Sequence, residues 1–309
     1  MSLRPPEHYL SSKKQIYNML YEKIIKKEPI SKGWSGDKKY KVTCEGGEVY
    51  LLRISPAERY ENRARLFDFQ RKVGEFGIPM CRAVEFGECE EGVYSLQTWI
   101  DGEDAEEFIP TLPQDEQYEL GLRAGRIIRK IHSIPAPCGI ADWGEKFSVK
   151  IDRKRKMYED CPLKFEGGEH FIRYIEENRH LIFGRPQSFQ HGDFHIGNMM
   201  LSEGELYIID FDRYDYGDPW EEFNRVWSAE AAPEFARGTV DGYFEGEEIP
   251  EEFWRLLALY VANNILGSLP WAIDFGEGEI QVMRNQARNI LSWYDNMKNI
   301  VPSWYNKGE

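Results

Sequence analysis

A chain of 309 residues is about two ordinary domains long, and with 41% hydrophobic and 14% aromatic residues it can build packed cores. Its net charge of -14 argues against a nucleic-acid partner, whose phosphates would be repelled, and no apolar run approaches the roughly 20 residues of a membrane span. The first 21 residues are charged and polar, without the apolar centre of a secretory signal, and Cys44, Cys81, Cys89, Cys138 and Cys161 are scattered without metal-ligand spacing. The expectation is a soluble cytoplasmic protein with reduced thiols and neither a nucleic-acid nor a membrane partner; oligomeric state is left open.

In chain order, Ile16, Leu20, Ile24 and Ile25 have the spacing of an amphipathic helix over residues 15–27, which Pro29 would end. A turn containing Gly33, Ser35 and Gly36 follows, then strands over 40–44 and 49–54 joined by Gly46-Gly47. Such a turn can bring backbone N–H groups up to phosphates, and equally it can be a plain hairpin connection. Residues 59–73 read as a helix, and 84–87 and 93–99 as two further strands around Glu90-Glu91-Gly92. A polar connector near 97–102 then divides a β-rich lobe, residues 1–100, from a mainly helical one, residues 101–309. In the second lobe Leu120, Ala124, Ile127 and Ile131 mark a helix over 115–132, with further helices over 146–158 and 171–180. His132 at the first helix's end reads as a packing or capping residue. A strand over 187–190 enters a polar loop, and a hairpin over 199–202 and 206–210 leaves it. Two apolar stripes, Phe253 to Ile265 and Ile280 to Met297, are core helices.

That loop, His191-Gly192-Asp193-Phe194-His195-Ile196-Gly197-Asn198, with Ile208-Ile209-Asp210-Phe211-Asp212 beyond it, carries the chemistry. An Asp followed by an Asn five residues later, and by a second Asp at the end of the returning strand, supplies what phosphoryl transfer requires: one group for the acceptor hydroxyl and hard oxygen ligands for Mg²⁺. Asp193 is the expected base or hydroxyl-positioning group, Asn198 and Asp210 the metal ligands, and Asp212 a further metal-site candidate if the strand persists. A histidine-based metal site around His191 and His195 would leave Asn198 unexplained.

These motifs, with Gly217-Asp218-Pro219, Ile131-His132-Ser133-Ile134-Pro135 and Leu52-Arg53, resemble the aminoglycoside phosphotransferase and choline kinase superfamily, over most of the chain. The resemblance implies an α+β, protein-kinase-like two-lobed fold with a small antiparallel-sheet N-lobe and a larger helical C-lobe. It also implies Mg²⁺-dependent transfer of the γ-phosphate of ATP or GTP to a small-molecule hydroxyl. Arg53 then stands where such enzymes place a phosphate-contacting lysine, with Glu61 as the candidate acid that holds it. Gln97 and Trp99 lie where the connector meets the base, and Asp218 braces the catalytic loop. A nucleotide-binding protein without turnover is the alternative that the arginine at 53 keeps open.

Charge is unevenly spread: residues 13–80 hold fifteen Lys and Arg against nine acids, whereas 215–279 hold fifteen acids against Arg225, Arg237 and Arg255. That asymmetry suggests an anionic ligand at the first lobe and a cationic, hydroxylated acceptor at the second. Glu221, Glu222, Glu230, Glu234 and Asp274, with Trp227 and Trp271, are candidates to receive it. The resemblance alone would also permit amino sugars, choline-like alcohols, modified ribose or antibiotics of other classes.

Overall fold

A computed structural model of the chain describes residues 19–31 and 36–306. The chain divides into two compact units, one formed by the residues up to Gly74 and by Cys81–Ile100, the other by Glu75–Met80 and by the residues from Asp101 onward. All five cysteines are free.

The first unit is an antiparallel sheet of β1 (Ile24–Ile30), β2 (Lys38–Cys44), β3 (Val49–Ser55), β4 (Ala83–Cys89) and β5 (Gly92–Thr98), in the order β1-β2-β3-β5-β4, with α1 (Tyr60–Glu75) between β3 and β4. Val42, Leu52, Ile54, Tyr94 and Leu96 form its core. The helix expected over 15–27 is not there where the structure describes it. Residues 20–23 make a short 3₁₀ turn, and Ile24–Ile30 pair with β2; residues 15–18 lie outside the described residues. Only two turns of helical spacing supported that helix, and β1 is an edge strand, where Pro29 costs no ladder bond that the sheet needs.

The second unit is mainly helical: α2 (Ala105–Phe108), α3 (Gln114–His132), α4 (Trp143–Asp160), α5 (Gly168–Asn178), α6 (Trp227–Ala231), α7 (Pro233–Tyr243), α8 (Glu251–Ala272) and α9 (Glu277–Trp293). Two small antiparallel sheets accompany them, one of β6 (Glu103–Asp104), β8 (Met199–Ser202) and β9 (Glu205–Ile208), the other of β7 (Ser188–Gln190) and β10 (Asp215–Gly217). Contrary to the sequence expectation, α8 and the turn after it are long and apolar enough to cross a membrane. Phe253, Leu256, Leu257 and Tyr260 on it are buried in the core shared with α4, α5 and α9, so it is the central helix of this unit.

A close helix pair fixes the front of that core. Gly121 and Gly125 on α3 face Gly238 and Gly242 on α7, and a methyl on any of the four would run into backbone of the other helix: Phe235 and Thr239 carbonyls on one side, Tyr118 and Leu122 carbonyls on the other. Small residues four apart on both helices let the two backbones touch, which no larger side chain permits.

Candidate active site

β7 delivers the candidate catalytic loop and β10 anchors it, with Gln190 paired to Asp215 and Ser188 to Gly217. The chain then turns through Gly192, whose φ of +85° and whose contact with the Arg213 carbonyl, where a side chain would stand, require glycine. His191 is fully buried. Its Nε2 lies 3.0 Å from the Ile209 carbonyl and its Nδ1 accepts from the Asp193 N–H at 3.2 Å. Burial pushes the imidazole's pKa down despite the carboxylates around it. A neutral ring therefore ties the Asp193 backbone to the residue before Asp210.

A second brace was not read from the sequence. Glu222 accepts from the backbone N–H groups of His191 at 2.7 Å and Gly192 at 2.6 Å, and its Oε2 is 3.1 Å from His132 Nε2. The carboxylate is buried, so each of these bonds is made away from water. His132 also reaches the Tyr243 hydroxyl at 3.2 Å, linking the ends of α3 and α7 to the loop. Behind them the buried Asp218 takes Arg185 Nε at 2.7 Å and the Tyr260 hydroxyl at 2.7 Å, while its backbone carbonyl accepts from Gln190 at 2.7 Å. Asp218 is thus bonded to the residue that leads into the loop.

The structure brings Asp193, Asn198 and Asp210 together. Asn198 Nδ2 donates to the Asp193 carbonyl at 2.9 Å and to its carboxylate at 3.3 Å, and the Ile209 N–H donates to the Asn198 carbonyl at 3.0 Å. With its nitrogen engaged inside the loop, the Asn198 amide has its oxygen as the group that could serve a cation, and its backbone is bonded to Ile209, the residue before Asp210. One neutral and one anionic oxygen donor suit Mg²⁺, which is held by one or two protein groups plus phosphate oxygens and water. Among the described residues no group of three His, Cys, Asp or Glu forms a closed metal site. Asp212 departs from the expectation: Asp210 adopts φ +63°, and residues 211–213 form a 3₁₀ turn. Strand alternation therefore ends before it can put Asp212 on Asp210's face.

Basic side chains stand around Asp193. Arg225 Nε stands 3.1 Å from one carboxylate oxygen, and Arg213 Nη1 3.5 Å and His195 Nε2 3.8 Å from the other. Burial raises its pKa, but the bond from His195 and the charges of Arg225 and Arg213 outweigh that and hold the carboxyl well below the usual carboxylate range. Trp227 lies against His195, with ring centroids 5.8 Å apart. The acids expected to receive a cationic acceptor are turned elsewhere. Glu221 bonds Lys150 at 2.7 Å, Glu222 holds the loop, Glu230 accepts from Gln286 and Asn289, and Glu234 is buried near Arg237 at 3.5 Å. Asp274 and Trp271 are exposed around the end of α8, where the Trp271 ring lies tilted against Phe275 with centroids 4.5 Å apart.

In the first unit Arg53 is buried on β3, but its carboxylate is not Glu61, which is exposed on α1. Asp37, just after Gly36, is bonded by Arg53 at 3.1 Å, Arg63 at 2.6 Å, Arg59 at 3.2 Å and the Ser55 hydroxyl at 2.8 Å. Burial raises the Asp37 pKa, and the Ser55 bond and the Arg63 and Arg53 charges outweigh it, for a net lowering. The acid paired with Arg53 thus comes from the residue just before β2 and not from α1. Gln97 is paired within β5 to Leu51 and Ala83, and its side chain bonds Gln70 at 3.0 Å, so it faces the interior of the unit and not the connector. Trp99, beyond the strand, carries Lys41 over its ring at 4.6 Å. Gly33 and Ser35 lie outside the described residues.

The family model described as "Phosphotransferase enzyme family" matches residues 27–255 of the chain. Among solved structures, the chain is similar to a choline/ethanolamine kinase family protein from Mesorhizobium loti, with 17% identity, 95% of this chain and 96% of that one covered and a TM-score of 0.67. It is also similar to the GDP complex of a mutant aminoglycoside 2'-phosphotransferase-IIIa, with 15% identity, 90% and 94% covered and a TM-score of 0.66. A thermostable mutant of aminoglycoside phosphotransferase APH(4)-Ia gives 16% identity, 88% and 95% covered and a TM-score of 0.64. These likenesses bear out the kinase-like fold. No curated protein matches the chain.

Proposed function

The chain belongs to the phosphotransferase enzyme family, and from that premise we propose that it moves the γ-phosphate of ATP or GTP onto a hydroxyl of a small molecule bound at Asp193. The observation that carries this is the single loop in which Asn198 is tied to the Asp193 carbonyl at 2.9 Å and to the backbone of Ile209, the residue before Asp210, at 3.0 Å. Asn198 and Asp210 would hold Mg²⁺, which when bound neutralises charge on the transferring phosphate.

In the reaction a bond forms between the acceptor oxygen and the γ-phosphorus as the bond to the bridging oxygen breaks, and the hydroxyl proton passes to the Asp193 carboxylate. Phosphoryl transfer is mostly alignment and charge stabilisation. A carboxylate held ionised by Arg225 and His195 is suited to aligning a hydroxyl, and it becomes an adequate proton acceptor only late, when that oxygen is already bonding phosphorus. Arg53, fixed by Asp37, is the proposed phosphate contact of the first unit.

Similar structures hold GDP in one case and ADP in another, which supports testing both donors. Release of nucleoside diphosphate with Mg-ATP and with Mg-GTP should be followed across a panel of hydroxylated acceptors, with Asp193→Asn as the blank. Turnover above that blank is the expected result. Nucleotide binding without turnover on any acceptor, and with equal background in both proteins, would refute the reading.

A further inference from the structure

A cavity of about 40 Å³ lies in the second unit against the candidate catalytic loop. Its wall is largely apolar: Phe194 from the loop, Met199 from β8, Phe235 and Val240 from α7, and Leu257 and Val261 from α8, all of them buried. Since one water-sized sphere takes about 10–15 Å³, the cavity receives roughly three or four non-hydrogen atoms. Of the lining residues only Phe223, Arg225, Ser228 and Trp304 are part-exposed, so the cavity meets solvent among these four. Two of them hold the loop. Arg225 donates to the Gly192 carbonyl at 2.9 Å and stands 3.1 Å from Asp193, and the Ser228 hydroxyl oxygen accepts from the Ile196 N–H at 3.0 Å.

The wall also carries a buried donor. The indole N–H of Trp304 is shielded from solvent, and among the described residues nothing accepts from it. The neighbouring Tyr305 fixes this stretch of chain, since its hydroxyl donates to Asp241 at 2.7 Å and its ring lies 4.5 Å from that of Trp254. A buried donor without an acceptor costs stability. Were the wall structural only, phenylalanine at 304 would line it without that cost. The group that suits this place is a neutral acceptor oxygen. An ammonium would meet a donor there, and the one carboxylate on the wall, Glu222, is already engaged by the backbone N–H groups of His191 and Gly192. A single neutral N–H does not offset the burial of a carboxylate either.

We propose that the acceptor is an alcohol with a short neutral arm, apolar except for one ether or carbonyl oxygen. The arm enters this cavity and its oxygen accepts from Trp304, while the hydroxyl stands at Asp193. Asp193 precedes Phe194 of the wall in the chain and is 3.1 Å from Arg225 at the rim, so one short molecule serves both places. The inference rests on the reading of Asp193 as the acceptor site and names the class of molecule it takes, in place of the cationic acceptor suggested by the acidic stretch of the sequence.

The probes are the monomethyl ethers of ethylene, trimethylene and tetramethylene glycol, titrated calorimetrically into the full chain, with aminobutanol and glycerol as the cationic and the polar comparison. Saturable binding of the ethers is expected, about fourfold tighter for trimethylene than for ethylene, the factor of one buried methylene, and no tighter for tetramethylene, whose arm exceeds the cavity. Aminobutanol and glycerol should not saturate. Trp304→Phe should weaken the best ether about fivefold, the factor of one neutral hydrogen bond. Ala236→Leu, which fills the cavity from α7, should weaken it about tenfold or more, and Trp271→Phe, at an exposed indole, should leave it unchanged. In the wild type the indole N–H resonance that Trp304→Phe removes should move along the same saturation curve. Absence of saturable binding to about 100 mM, equal binding to Trp304→Phe and Ala236→Leu, or tighter binding of aminobutanol would overturn the proposal. Diphosphate release is followed on the same ethers and on the wider acceptor panel. Release on other acceptors without ether binding removes this proposal and leaves the kinase reading. Ether binding through Trp304, with no release on any acceptor, removes the kinase reading and the acceptor role together and leaves the cavity a binding site.

Discussion

Glu222→Gln tests the brace beneath the loop with the smallest available change in shape. The carboxylate accepts from two backbone N–H groups, His191 on one oxygen at 2.7 Å and Gly192 on the other at 2.6 Å, with His132 at 3.1 Å. A carboxamide can turn its oxygen to only one of the two N–H groups and must point its NH₂ at the other. One charge-assisted bond, worth about 1.5–3 kcal/mol, is lost and a buried donor is left unmet at about 1–3 kcal/mol more, so about 3 kcal/mol is a central expectation. For a unit of this size that is a fall in melting temperature of roughly 6–12 °C. Because the displaced groups carry Asp193, acceptor turnover should drop about 100-fold even where the protein remains folded. Differential scanning fluorimetry and diphosphate release measure the two effects. His132→Gln, which removes the ring's contacts to Glu222 and Tyr243 but spares both backbone bonds, should cost less. A Glu222→Gln protein melting within 2 °C of wild type would refute the reasoning.

Gly125→Ala puts a methyl into the Thr239 carbonyl across the α3–α7 contact and should cost about 3 kcal/mol or more; an unchanged urea midpoint would contradict the close packing. For Asp37, the folded carboxyl is held below its ordinary value, so its contribution is present above the unfolded pKa near 3.9 and lost as pH falls through the folded one. Asp37→Asn should accordingly lower stability by about 3 kcal/mol at pH 7, with its melting curve and the wild type's converging toward pH 2; parallel curves would count against the arginine cluster. Lys154 has the opposite sign. Its folded pKa is lowered, the unfolded chain binds more protons between about 7 and 10.5, and wild-type stability therefore rises across that window. Lys154→Met should be more stable than wild type by about 2 kcal/mol at pH 6, a difference that closes by pH 10, and chemical denaturation at the two pH values would show whether it does.

Most of the architecture was legible because it is local. The helix over Gln114–His132, the β2–β3 and β4–β5 hairpins and the strand–loop–hairpin around Asp193 each follow from a period or a turn within some twenty residues. The failures have physical reasons of equal locality. Residues 24–30 were misread because an edge strand with one face in contact shows little alternation. Helix α7 was missed because its signal lies in the two glycines that match Gly121 and Gly125 on α3, a relation between segments more than a hundred residues apart that neither segment displays alone.

The site divides along the same line. Asp193, Asn198 and Asp210 are named by a motif because one loop and one hairpin place them, and geometry of that range is written into spacing. What governs their charge arrives from elsewhere. Arg225 reaches Asp193 across thirty-two positions, and Glu222 reaches His132 across ninety. In the first unit, Asp37 took the place expected for Glu61 because the choice depends on which acid the fold turns inward. The same holds for the acceptor. Fifteen acids between residues 215 and 279 suggested a receptor for a cation, yet a carboxylate attracts a ligand only if its charge is not already spent on a neighbour, and here Glu221, Glu222 and Glu230 are bonded to Lys150, to backbone, and to Gln286 and Asn289. Around Asp193 itself stand Arg225 at 3.1 Å and Arg213 at 3.5 Å. Internal pairing, which composition does not show, therefore decides which of those carboxylates are left for a ligand.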